Sequence, residues 1–132
     1  MDPALRERVR TRAGQCCEYC RLHQGHAPFV GFHVEHIIPR QHGGSDDPSN
    51  LALACHHCNL HKGPNLTGID PESGQIVPLF NPRHAAWEAH FALQGAHIVG
   101  LTPTGRATVR VLAMNALERV QFRTELRASG EW

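Results

Sequence analysis

In the opening run PALRERVRTR the apolar residues Leu5 and Val9 stand four apart in a field of charge, which predicts a short amphipathic helix over residues 4–13. Asp2 can cap it, and Pro3 suits its first turn. The next stretch, QCCEYCRLHQGHAP, reads as a turn-rich knuckle. FVGFHVEHIIP has strand composition: 29–32 form one strand, and 33–38 form its antiparallel partner or its continuation. RQHGGSDDPSN is a loop by its Gly, Asp, Pro, Ser and Asn content. LALACHHCNLHKG opens with an apolar run, and a helix is expected from Cys55 or His56 until Gly63-Pro64 stops it.

Beyond Gly63 the pattern changes. LTGIDPESGQIVPLF predicts two short strands around a DPESG turn, and HFAL with AHIVGL predicts a hairpin across Gln94-Gly95. Trp87, His90 and Phe91 read as core of this part. Thr102-Pro103 starts a helix, and Asn115 separates it from a last one, ALERVQFRTELRAS, which Gly130 ends. The fold class is therefore α+β. The expected division is a core over 1–64, and over 65–132 a C-terminal lobe of short strands and two helices packed on that core. No internal repeat or low-complexity segment interrupts the chain.

With 132 residues, 41% hydrophobic and 19% charged, the chain has the size of one ordinary domain and is not a disordered sequence. A net charge of +1 argues neither for nor against a nucleic-acid partner, although Arg6, Arg8, Arg10, Arg12 and Arg21 cluster near the start. The same cluster also suits a solvated helix face. The start MDPALRERVR has no apolar signal region and no run approaches membrane-spanning length, so the expected location is the cytoplasm. Thiols stay reduced there, which turns the five cysteines toward metal rather than disulfides.

Cys17-Glu18-Tyr19-Cys20 and Cys55-His56-His57-Cys58 are two C-x2-C knuckles. Each can grip one tetrahedral ion with two thiolates, and together they make a four-cysteine zinc site, with Cys16 left over. A closed thiolate site has no open position for a reactant, so chemistry would need a second metal. Between the knuckles stand Glu35-His36 and Asn50, with Asn59 and Lys62 after the second knuckle. Adjacent strand residues point to opposite faces, so a Glu35-His36 pair serving one substrate calls for a twisted strand end or a bulge. His33, two residues before Glu35, shares its face, which makes His33 with Glu35 an alternative metal pair.

The ordered run HVEHIIPRQHGGSDDPSNLALACHHCNLHKG, flanked by CEYC and CHHC, resembles the HNH endonucleases over residues 14–63. More narrowly, it is similar to the zinc-braced members, and the tail resembles that of small stand-alone bacterial HNH proteins. The resemblance implies a ββα-metal core: two antiparallel strands, a loop and a helix around one divalent cation. It implies metal-dependent hydrolysis of DNA phosphodiester bonds, most naturally in double-stranded DNA, leaving 5′-phosphate and 3′-hydroxyl ends. His36 would be the general base. Glu35 and Asn59 would hold Mg²⁺ or Mn²⁺, and Asn50 would tie down the loop that orients His36. Lys62, Arg40 and His61 would contact flanking phosphates. Glu35 stands where an Asp or His is more usual, and Asn59 where the family name expects its last His. The alternative reading is a zinc-braced nucleic-acid-binding module without hydrolytic activity.

Overall fold

The computed structural model describes residues 1–132. They form two compact units: Met1–Leu66 with Asn81–His84, and Thr67–Phe80 with Ala85–Trp132.

The first unit begins with helix α1 (Pro3–Arg12), capped by the Asp2 carboxylate on the Ala4 amide and burying Val9. Strand β1 (His33–His36) pairs antiparallel with β2 (Leu51–Ala54) in one-to-one register, and helix α2 (His56–Lys62) follows β2 directly. The partner of β1 is thus the apolar LALA run and not residues 29–32, whose backbone is occupied locally. The Gln24 side chain donates to the Ala27 and Val30 carbonyls and accepts from the Phe32 amide. Residues 29–32 are left as a loop, with Phe29 almost fully exposed.

All four residues of β2 are buried, which is why LALA shows no alternation. Knuckle residue Glu18 covers the far edge of the strand: its amide donates to the Leu53 carbonyl and its carboxylate accepts from the Leu53 amide. Arg12 donates to the carbonyls of Pro48 and Leu51. Arg83 donates to the Leu51 carbonyl and pairs with the Glu18 carboxylate. Two strands alone would be marginal in water; helix, knuckle and arginines supply the missing partners.

The second unit contains hairpin β3 (Thr67–Ile69) with β4 (Ile76–Pro78), a short helix α3 (Trp87–His90), and hairpin β5 (Phe91–Gln94) with β6 (His97–Gly100). Helices α4 (Pro103–Val111) and α5 (Leu117–Ala128) complete it. Its core gathers Phe80, Phe91, Ile98, Ala107, Leu112 and Met114. Gly105 is required by close approach, because a side chain there would meet the His90 carbonyl oxygen at 2.1 Å. No helix of the chain is long and apolar enough to cross a membrane.

Asp70, fully buried, organises the β3–β4 turn. It accepts from the Glu72 amide, the Ser73 hydroxyl and two nitrogens of Arg106, at 2.8–3.1 Å. Hydrogen bonding from Arg106 holds its carboxyl well below the usual carboxylate range. A depressed carboxylate pKa adds stability above the unfolded value, about 3.9, and that stability is lost as pH falls toward the folded value. Asp70→Asn should therefore lower the melting temperature of the second unit at neutral pH. The gap to the parent chain should close on acidification below about pH 4, as read by thermal denaturation across pH.

Candidate functional site

The cysteine knuckles meet. One ligand atom each from Cys17, Cys20, Cys55 and Cys58 falls within 4.8 Å of all the others, and all four residues are buried. The Sγ atoms of Cys20 and Cys55 are 3.7 Å apart. Thiolates bound tetrahedrally to zinc at about 2.3 Å stand about 3.8 Å from one another, so the cage has the dimensions of a zinc site. Local turns aim the sulfurs: the Cys20 amide lies over Cys17 Sγ, and the Cys58 amide over Cys55 Sγ at the start of α2. Burial pushes the Cys17 thiol well up, and the hydrogen bond with Cys17 does the same to Cys58. A bound cation reverses that tendency, since a coordinating thiol is deprotonated outright. Cys16 lies outside the cluster.

Strand β1 runs away from this cage. The register shows no bulge, and side chains alternate: Glu35 is buried at 7% exposure, while His36 is only partly covered. Both nevertheless line one open cleft of about 460 Å³, because the strand ends at His36 and the chain turns away at Pro39. His33, Arg40 and Asn59 line the same cleft. Glu35 and Asn59 are thus oxygen donors on one cavity, reached from the strand and from the helix, and a hard divalent cation suits that donor set.

Glu35 is held from two sides. The Tyr19 hydroxyl donates to Oε1, and Lys62 Nζ lies 3.2 Å from Oε2. Burial pushes the Glu35 carboxyl up, against the downward pull of Lys62 and Tyr19. Lys62 was expected on phosphates, but it is 2% exposed, and its ammonium also donates to the Ile37 carbonyl at 3.1 Å. The reason is positional: the last turn of α2 lies against β1, and a buried carboxylate without a cation would be costly there.

His36 has a partner the sequence did not single out. Its Nε2 stands 2.6 Å from Asp46 Oδ1, and Arg40 contacts both Asp46 oxygens at 2.9 and 3.0 Å. Hydrogen bonds from His36 and then Arg40 hold the Asp46 carboxyl below its ordinary range. Asn50 donates to the carbonyls of Ile38 and Ser45 and accepts from the Ile38 amide, which closes the loop between the strands. Gly44 sits inside that closure, where a side chain would collide with the Ile38 carbonyl.

Residues 17–65 match the family model described as HNH endonuclease. This segment is an HNH domain. No curated protein and no solved structure matches the chain. The HNH domain ties the segment to nuclease and nucleic-acid chemistry, and it contains both knuckles and the whole cleft described above. His61, on the exposed face of α2, stacks on His57 at 4.1 Å between ring centroids, and its Nδ1 donates to the His57 carbonyl at 2.8 Å. His33 faces His56, with ring nitrogens 3.3 Å apart.

Two residues of this constellation escaped the sequence. Asp46 lies in a loop with a second acid, Asp47, and nothing in GGSDDPSN says which one reaches His36. Tyr19 is the chain's single tyrosine, placed inside a knuckle, and that was a signal.

The cage predicts one zinc per chain by elemental analysis of the purified protein. Cys55→Ser should lose the ion and the cooperative melting of the HNH domain, since a structural zinc contributes on the order of 10 kcal/mol. Cys16→Ser should keep both.

Proposed function

We propose that this protein is a metal-dependent endonuclease that hydrolyses DNA phosphodiester bonds, with His36 as general base. The observation that carries the reading is the convergence of Glu35, His36 and Asn59 on one open cleft beside the four-cysteine cage. A depressed Asp46 carboxyl is ionised near neutral pH and can only accept hydrogen bonds, so His36 Nε2 carries the proton. Nδ1 of the neutral ring then keeps its lone pair, the basic atom needed to take a proton from a water. Asp46 also stabilises the imidazolium that results.

Glu35 and Asn59 are the residues that would hold a divalent cation, Mg²⁺ or Mn²⁺ by the hardness of their oxygens. Bound there, it supplies Lewis-acid stabilisation of charge developing on the phosphoryl group and leaving oxygen. Asn50 fixes the loop, and with it the span between His36 and Asp46. Arg40 and the exposed His61 are the side chains proposed for flanking phosphates.

A second reading, a zinc-braced nucleic-acid-binding module without hydrolysis, draws support from one observation. Glu35 already has both oxygens engaged by Tyr19 and Lys62. Plasmid cleavage in Mg²⁺ or Mn²⁺ separates the two. Cleavage should fall about 10²–10⁴-fold in His36→Ala with zinc content unchanged, whereas an inert parent chain that binds DNA supports the module. Asp46→Asn should lower kcat, because it disturbs the ring's tautomer, and should also change KM, because Asp46 holds Arg40 through both oxygens.

A further inference from the structure

We infer that Tyr19 is a positioning residue for the catalytic cation: it carries the order of the zinc cage to the carboxylate of Glu35. The inference rests on the endonuclease reading for the identity of the cation site, and adds what controls that site's affinity.

Tyr19 sits between Cys17 and Cys20, so any ion gripping those two sulfurs fixes the backbone on both sides of it. Its ring is 1% exposed and its hydroxyl donates to Glu35 Oε1. The opposite oxygen is met by Lys62, one helical turn beyond Cys58, at 3.2 Å. Asn59 directly follows Cys58 on the same helix. Tyr19, Lys62 and Asn59 are thus each carried by a segment that holds two of the cage cysteines.

A glutamate has one more rotatable bond than an aspartate, and its carboxylate can swing further from a cation. A donor on each oxygen removes that freedom before any ion arrives. Of the two donors, Lys62 must compete with an incoming cation because it is itself positive. Tyr19 is neutral, donates one hydrogen bond, and leaves the remaining lone pairs of the carboxylate available. Its hydroxyl is the donor in that hydrogen bond, since a carboxylate can only accept. The zinc cage on this account sets the affinity of the second metal, through one phenol.

Tyr19→Phe alters no cage ligand and removes only the hydroxyl. Manganese affinity is measured by electron paramagnetic resonance on the zinc-loaded parent and variant. The variant should keep its zinc and its fold by circular dichroism, and bind Mn²⁺ about 10–100-fold more weakly, the usual cost of losing a partner of a metal-binding carboxylate. Equal affinity in the two proteins overturns the inference and leaves the endonuclease reading standing. Absence of Mn²⁺ binding by the parent overturns both. A measurement on the unaltered chain guards against a variant that fails to fold. With one tyrosine in the sequence, ¹³Cζ-tyrosine labelling gives a single resonance. It should move on Mg²⁺ titration with the same saturation curve as cation binding; a resonance that stays fixed through saturation contradicts the role.

Discussion

Four buried sulfurs converging within 4.8 Å are the constraint on which the HNH domain depends. The segment has little else to hold it: a two-stranded ribbon, a helix of seven residues and long loops. Hydrophobic burial in β2 and α1 supports the ribbon but fixes neither the knuckle nor the direction of α2. A zinc ion on the cage would join residues 17–20 to residues 55–58 by bonds far stronger than any side-chain contact in the domain. Crowded, buried thiols have no comparable reason to stay together without it.

From that fixed point the arrangement of the cleft follows. Strand alternation turns Glu35 inward and leaves His36 partly open, so two neighbours in sequence enter different environments. Glu35 gains a phenol and an ammonium, as a buried carboxylate must. His36 gains Asp46, a carboxylate kept ionised by its own partners. Under the proposed function these environments divide the labour: one side chain is shaped for a cation and the other for a proton. No bulge is needed to bring both to one cleft, because the cavity opens where the strand ends.

Most of the fold was legible because the local signals were strong. The helix after LALAC, the DPESG hairpin, the Gln94-Gly95 hairpin and both terminal helices all form where propensity and breakers put them. The pairing of β1 was the exception. Residues 29–32 have strand composition, but Gln24 binds their backbone from eight residues upstream or fewer, and periodicity does not report such a contact. The cage was legible from cysteine spacing. The partners of Glu35 and His36 were not, because Tyr19, Lys62 and Asp46 are brought to them by tertiary structure alone. Lys62 shows the cost of reading charge without burial: a cation near a nuclease motif suggests phosphate, yet its neighbour is a carboxylate inside the protein.

The central claim is that the cage holds Glu35 and Asn59 so that they bind one cation beside His36. The most direct test is a crystal structure with Mn²⁺ and a short DNA duplex, with anomalous scattering recorded at the zinc and manganese edges. The account predicts zinc on Cys17, Cys20, Cys55 and Cys58, manganese between Glu35 and Asn59, and a phosphate on the manganese within reach of His36. Manganese bound elsewhere, with Glu35 still held by Lys62 and the duplex away from the cleft, would contradict it.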